Sequence, residues 1–521
     1  MNSSAKRWII AVCLMNVPGI EARAQHQEFQ LGASDGAAND YLGSSVALSG
    51  NLALVGARGG GSSGAAYVFD VTTGQQVYKF TALDGAAGES FGFSVALSGT
   101  IALIGAPQDD DLGASSGSAY VFDMTSGQQQ FKLTASDGAA LDSFGYSVAL
   151  FGSVALIGAP DYAWRTDSGS VYMFDVATGQ QLRKLTASDG DPGDRFGQSV
   201  ALSGSRALVG AALDDGVGPY SGSAYLFDLT TGQELFKLTA SDGATGDWFG
   251  QSVAVSKEIA LVGAINNDDY DTPGGSAYVF DVTTGVQVFK LRAVDYVADD
   301  LFGQAVALSG NLALIGAYGR DALANRVGSA YVFDVTTGRQ LHQLFAWPPE
   351  GDNDFGDAVA LSGDRAVIGA PYDDDLGNNS GAAYVFSLQS VPYNVGCSGS
   401  GGITPYYAIN GDVTAGSVIT LEISDAVGGS VAFILQAFGR ATVPMGADCT
   451  LNLAPPVAQI NGPFILNPYF GSGPGIGWLN IPVAIPSTAP PGLSFTTQVF
   501  IPDAGVPRGY AGTNGLEVTF R

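Results

Sequence analysis

Histidine is almost missing from this sequence: His26 and His342 are the only two in 521 residues. One histidine in a strand-like run and one beside a cleavage-like site build neither a histidine metal cluster nor a Ser-His-Asp arrangement. Charge is scarce as well, at 14% of residues, and basic charge scarcest: 22 Lys and Arg stand against 49 Asp and Glu, a net charge of −27. Such a surface repels nucleic acid and anionic lipid and favours cations or basic partners. No uninterrupted apolar stretch reaches the 18 or so residues of a membrane-spanning helix. What is plentiful is glycine, 73 residues, within a chain that is 46% hydrophobic. That composition suits many short strands joined by tight turns and excludes general disorder.

The first residues read as a secretory signal: Lys6 and Arg7, an apolar run from Trp8 to Ile20, then the small-x-small site Ala22-Arg23-Ala24. Residues 1–24 are the expected signal peptide, cleaved after Ala24, and the product is expected to be secreted, periplasmic or at the cell surface. Cleavage removes Cys13 and leaves Cys397 and Cys449, an even pair in an oxidising compartment, for which a disulfide is expected.

The body of the chain is a repeat. Phe-Gly pairs stand at Phe91-Gly92, Phe144-Gly145, Phe196-Gly197, Phe249-Gly250, Phe302-Gly303 and Phe355-Gly356, with Leu42-Gly43 opening the series, at steps of 49 to 53 residues. One period contains four short β-like runs, as at Ser147 to Leu150, Ala155 to Ala159, Ser170 to Asp175 and Leu182 to Ala187. A four-strand unit of that size cannot bury both its faces alone, so like units must pack around an axis as propeller blades. Seven anchors predict seven blades over residues 25–389. The run Glu28-Phe-Gln-Leu-Gly-Ala33 matches the fourth run of later units, Gln130-Phe-Lys-Leu-Thr-Ala135, whereas the last unit stops at Phe386-Ser387. The N-terminal strand is therefore expected to complete blade seven and close the ring.

The Phe-Gly anchors, together with Gly105-Ala-Pro107, Gly158-Ala-Pro160 and Gly369-Ala-Pro371, resemble the FG-GAP repeat found in the propeller of integrin α subunits and in bacterial surface proteins. Arg58, Ala212, Ile265 and Tyr318 depart from the proline of the triplet. The link between the first two strands, such as Ser98-Gly99-Thr100, is too short for the calcium loop that the family often carries there. Tyr120-Val-Phe-Asp-Met-Thr-Ser-Gly127 also resembles quinone-dehydrogenase propellers, but those place tryptophan where this chain has Tyr78, Phe131, Arg183, Phe236, Phe289 and His342.

Most repeated residues read as structure. The anchor glycines supply a conformation or close approach that a Cβ would block, the phenylalanines pack between blades, and the Asp-x-Thr-Thr-Gly segments (Asp70 to Gly74, Asp228 to Gly232, Asp281 to Gly285, Asp334 to Gly338) make hairpin turns. The loops carry the functional candidates. Asp109, Asp110 and Asp111, Asp214 and Asp215, Asp268, Asp269 and Asp271, and Asp373, Asp374 and Asp375 fall between second and third strands. Asp84 and Glu89, Asp137 and Asp142, Asp189 and Asp194, Asp242 and Asp247, and Asp295 and Asp300 lead into the next blade. In an up-and-down blade these two connections share a face, which would concentrate calcium or a basic partner. The resemblance to integrin α implies the same face as the ligand-engaging one. Arg58, Arg320 and Arg326 interrupt the acidic ring. The plainer reading is that these aspartates turn the chain and keep it soluble.

After Gln389 the repeat stops, and alternating runs at Val418 to Ile423, Val431 to Leu435, Phe495 to Ile501 and Leu516 to Phe520 predict a small β-sandwich over residues 390–521. The whole is expected to be an all-β protein, a monomeric seven-bladed propeller followed by that domain. Its expected role is binding, adhesion or scaffolding toward an extracellular protein or glycan, with calcium the one cofactor weighed and no catalytic residues assigned. Carboxylate pairs serve glycosidases, so a polysaccharide-active hydrolase or lyase is the alternative from another class, and a structural envelope component the third.

Overall fold

The structure, a computed structural model, describes residues 26–161, 167–268, 274–295, 297–319, 326–346 and 351–388, and after these only backbone strand segments between 406 and 519. The expected signal segment lies outside the described residues. The chain divides into two compact units, with Glu28–Ser387 in the first and Leu388–Arg521 in the second.

Seven four-stranded antiparallel sheets make the first unit. Blade two shows the pattern: Ser94–Ser98, Ile101–Ala106, Ser118–Asp123 and Gln128–Leu133 pair in that order. Its second and third strands are apolar at nearly every position because neighbouring blades cover both faces, and its fourth alternates, as an outer strand must. In blade three the fourth strand is Gln180–Leu185, two residues ahead of the expected Leu182 start, because the Asp175–Gly179 turn delivers Gln180 straight into the ladder. That turn repeats in five other blades with one geometry. In blade one the Asp70 carboxylate accepts from Thr72 N at 2.8 Å and Thr72 Oγ1 at 2.6 Å, and Gly74, at φ 69°, donates to Asp70 O at 2.8 Å. The Thr72 hydroxyl and amide hold the Asp70 carboxyl below the usual carboxylate range.

Blade seven consists of Val359–Ser362, Arg365–Ala370 and Ala382–Ser387, with His26–Leu31 as its outer strand. The ring thus closes as the sequence predicts. The first strands of consecutive blades pack against one another all the way round, blade seven against blade one included, and so surround the central axis.

The anchor pairs hold this ring together. Phe91, Phe144, Phe196, Phe249, Phe302 and Phe355 are all buried, each set edge-on or tilted against a tyrosine and a phenylalanine of its own blade's third strand. Phe91 also joins Leu54, Ala66 and Val68 of blade one in a single apolar cluster, burial worth about 1.5–3 kcal/mol per ring. The anchor glycines take φ between 88° and 100°. A Cβ on Gly92 would stand 2.2 Å from the Ala65 carbonyl oxygen of blade one. Blades one to five are also stitched to the next blade by a serine two residues after the anchor glycine: Ser45 Oγ donates to Gly92 O at 2.9 Å, and Ser94, Ser147, Ser199 and Ser252 repeat the bond, whereas blades six and seven have Ala305 and Ala358 there.

In the second unit the described backbone forms three antiparallel sheets, the smallest being the pair Val443–Pro444 and Thr450–Leu451. Tyr406–Asn410 pairs with Val418–Ala426, which pairs with Gly477–Ala484, which pairs with Asn467–Pro468. Val431–Phe438 lies between Val457–Ile465 and Ser494–Pro502, and the latter also carries Tyr510–Gly512 and Leu516–Thr519. Cys397 and Cys449 lie outside the described residues. No helix among the described residues is long and apolar enough to cross a membrane.

Candidate functional site

The acidic loops are organised by an unexpected partner, a lysine one strand away. In blades one to five a third-strand tyrosine sits directly opposite a fourth-strand lysine: Tyr67 and Lys79, Tyr120 and Lys132, Tyr172 and Lys184, Tyr225 and Lys237, Tyr278 and Lys290. Each ammonium lies 5.2–5.4 Å from its tyrosine ring centroid and reaches the aspartate of the loop entering that blade: Asp35, Asp84, Asp137, Asp189 and Asp242, at 2.6–2.7 Å. The hydrogen bond from Lys79 keeps the Asp35 carboxyl below its usual range, and Lys184 does the same for Asp137. Burial pushes the Tyr67 and Tyr172 hydroxyls up to about 12.

Blade two adds the second-to-third loop to this cluster. Lys132 holds Asp84 at 2.7 Å, Asp109 at 2.9 Å and Asp111 at 2.5 Å, so both loop sets converge on one ammonium. Asp109 is 1% exposed. Its Oδ2 also accepts from Tyr120 Oη at 2.9 Å and its Oδ1 from Asp111 N at 3.2 Å. Burial alone would raise the Asp109 carboxyl; the bonds from Lys132, Asp111 N and Tyr120 outweigh it and hold the group low. Asp110 points elsewhere, accepting from Ser115 N at 2.7 Å across the loop.

Blades four and seven copy this loop. Asp214 accepts from Gly216 N, Ser223 Oγ, Tyr225 Oη and Lys237, and Asp215 from Tyr220 N. Asp373 accepts from Asp375 N and Tyr384 Oη, Asp374 from Asn379 N, and Asp375 from Gln30 Nε2 of the ring-closing strand. The adjacent aspartates therefore diverge: the first anchors the blade and the second closes the loop. In blade five Asn267 replaces the first aspartate, bonding Ser276 Oγ and Asp247; Asp268 is exposed, and Asp269 and Asp271 lie outside the described residues. Among the described residues no group of three or more His, Cys, Asp or Glu is arranged to hold a metal ion.

The other acidic set makes turns. Asp40, Glu89, Asp142, Asp194, Asp247 and Asp300 each accept from the backbone N–H three residues earlier. Burial raises Glu89, Asp142 and Asp247, and lifts Asp194 to about 6. Arg58 covers the Tyr41 ring at 5.3 Å, and Arg326 bonds Asp354 at 2.9 Å; Arg320 lies outside the described residues.

A second feature is the pair of positions flanking each anchor. The residue before it, Tyr41, Ser90, Ser143, Arg195, Trp248, Leu301 or Asp354, adopts left-handed φ of 51–60° in all seven blades, although none is glycine. The residue after it, Ser44, Phe93, Tyr146, Gln198, Gln251, Gln304 or Asp357, lies at or just ahead of the start of the inner strand, and here side chains of adjacent blades meet. Phe93 and Tyr146 have centroids 4.8 Å apart, Gln198 Nε2 donates to Gln251 Oε1, and Gln304 Nε2 to Asp357 Oδ1 at 3.1 Å. Sequence reasoning missed this ring because it followed what recurs. The signal was present as a column of unlike residues beside an unchanging glycine.

No curated protein matches the chain. Among solved structures, one chain of the crystal structure of a mitotic checkpoint complex is similar at 14% identity with a TM-score of 0.46, over 74% of this chain and 99% of that one; a likeness at that level carries no argument. The FG-GAP repeat matches seven times, at residues 26–69, 75–122, 128–174, 180–227, 233–280, 286–333 and 339–386. With the Phe-Gly anchors in their seven blades and the repeat covering the propeller from first strand to last, the chain belongs to the FG-GAP repeat family.

Proposed function

We propose that this protein is an exported interaction module whose propeller presents its acidic loop face to a basic surface of an extracellular protein, by charge complementarity and without chelated calcium. A propeller of this family is a protein-binding or scaffold architecture and typically non-enzymatic. The observation that carries the reading is the division of labour among the loop aspartates: the inner ones, Asp109, Asp214 and Asp373, are spent on tyrosine, backbone and lysine or glutamine partners. Asp110, Asp215, Asp268 and Asp374 are left exposed on the same loops. Exposed like charges on rigid loops steer a basic partner and set its rate of approach. Calcium needs six to eight oxygens around one point, and aspartates that diverge and already accept N–H and O–H bonds do not supply them. Export is supported by the signal-like residues 6–24.

The test uses oligolysine and a basic globular protein as probes, at low and physiological salt, against the wild type and a variant with Asp110, Asp215, Asp268 and Asp374 changed to Asn. Binding that weakens with salt and falls about tenfold or more in the variant supports the reading. Equal binding by both proteins refutes the electrostatic face. Saturable heat on titrating calcium, lost when Asp109 to Asp111 become Asn, refutes the calcium-free part.

A further inference from the structure

We propose that the lysines facing the acidic loops guard five backbone bonds: Asp35-Gly36, Asp84-Gly85, Asp137-Gly138, Asp189-Gly190 and Asp242-Gly243 are sites of isoaspartate formation, held unreacted by Lys79, Lys132, Lys184, Lys237 and Lys290. The modification concerns the chemical lifetime of the loop face and does not depend on what binds there.

The chemistry needs only the peptide and water. The glycine nitrogen attacks Cγ of the preceding aspartate and gives up its proton, and the carboxyl hydroxyl leaves as water, closing a five-membered imide. Water then reopens the ring at the α-carbonyl, so the chain runs on through Cγ with one more methylene in its backbone. Glycine is the neighbour that permits this most readily, because it has no Cβ to shield the nitrogen and the widest conformational range. Two conditions remain. Only a neutral carboxyl has a hydroxyl to lose, and its Cγ must first swing onto the glycine nitrogen.

The fold opposes both. These carboxylates are 41–51% exposed, so burial does not keep water from them. What holds them is the ammonium 2.6–2.7 Å away. In blades one, four and five the second oxygen also accepts from the facing tyrosine, Tyr67, Tyr225 or Tyr278, at 3.0 Å. The attacking nitrogen is engaged as well: Gly36, Gly85, Gly138 and Gly243 each donate to the carbonyl three residues earlier at 3.1–3.3 Å. The bonds from Lys79 and Lys184 hold the Asp35 and Asp137 carboxyls low and therefore ionised. The sequence links the two partners independently of these distances. All five blades with the lysine carry Asp-Gly in the loop that enters them; blade six, with Gln343 in its place, reads Asp295-Tyr296, and blade seven, with Gln30, reads Pro348-Pro349. A glycine kept only to turn the loop would not follow the lysine. The remaining Asp-Gly pair, Asp215-Gly216, lies in the second-to-third loop of blade four, where Asp215 accepts from Tyr220 N and meets no lysine among the described residues.

The full chain and its Lys184→Met and Lys184→Arg variants are aged side by side at about pH 5, where an unpaired aspartate is still partly neutral. Isoaspartate is read site by site by peptide mapping, since it changes retention and fragmentation without changing mass. Each pK unit by which an ion pair lowers a carboxyl cuts its neutral fraction about tenfold. Lys184→Met is accordingly expected to raise the rate of isoaspartate formation at Asp137 about tenfold, while Lys184→Arg, which keeps the charge, stays near the wild-type rate. Asp84, still under Lys132, and Asp215 are the references and are expected to be unchanged in both variants. Equal rates at Asp137 in wild type and Lys184→Met overturn the guarding role. So does a rise in Lys184→Arg as large as in Lys184→Met, or a parallel rise at Asp84 and Asp215, which would trace the change to general unfolding. If Lys184→Met fails to fold, Lys79→Met read at Asp35 decides by the same outcomes.

Discussion

Replacing Lys132 by Met asks what the lysine in an acidic loop cluster contributes. Its side chain is 18% exposed and serves three carboxylates, one of them the 1% exposed Asp109. Without it, Asp109 keeps the bonds from Tyr120 Oη and Asp111 N. Hydrogen bonds to charged groups contribute about 1.5–3 kcal/mol, and breaking a fully buried pair costs about 3–5; with one partner buried and the ammonium half-shielded, about 2–3 kcal/mol is expected. Lys184→Met is the internal control. It occupies the same position in blade three, but its one carboxylate, Asp137, is 51% exposed, so under about 1 kcal/mol is expected. Urea unfolding gives the comparison, and hydrogen exchange in Gln128–Leu133 shows whether the loss is local to blade two. The pH dependence supplies a second check. The Asp109 carboxyl is depressed in the folded protein, so its contribution is present above the unfolded value near 3.9 and is lost as pH falls through the folded one. The gap between wild type and Lys132→Met must therefore narrow below about pH 4. Equal losses in the two variants, or a gap undiminished at about pH 3, would refute the reasoning.

Two further outcomes follow from the same geometry. Gly92→Ala puts a Cβ 2.2 Å from a carbonyl of the neighbouring blade and is expected to prevent a stable ring, whereas Gly99→Ala, at φ 57° with open space around it, should cost about 1–2 kcal/mol, which thermal melts separate. Asp354 is lifted by burial to about 7 against Arg326, so its folded form holds a proton that the unfolded chain releases near 3.9. Its contribution is full below the lower value and is lost as pH rises through about 7; Asp354→Asn should flatten the stability profile between those limits, and an unchanged slope in denaturant titrations at stepped pH would count against it.

The propeller was legible because steric necessity repeats. Gly92 and its equivalents have no alternative at φ near 90° beside a neighbour's carbonyl, and Phe91 has a cavity that recurs, so both return at each period. Ring closure was legible for the same reason, since Gln30 in Glu28-Phe-Gln-Leu stands where Lys132 stands in blade two and reaches Asp375 as Lys132 reaches Asp111. The loops were only half legible. Asp109-Asp110-Asp111 reads equally as a candidate ligand- or metal-binding cluster and as turn chemistry, because nothing local shows that Asp109 turns inward; its tyrosine and lysine lie 11 and 23 residues on and meet it only through strand register. The ring of unlike residues stayed hidden for the opposite reason, as recurrence was the signal followed and its members differ.

Each repeat match begins with the outer strand of one blade and ends with the third strand of the next. The unit of heredity and the unit of architecture are therefore out of phase by one strand. A duplication or loss of one repeat hands over a strand at each end, so it changes the number of blades while leaving every sheet four-stranded. The cost is that no blade is encoded contiguously: the first residues of the propeller are held by its last sheet, and a nascent chain cannot finish the ring until that sheet has been made.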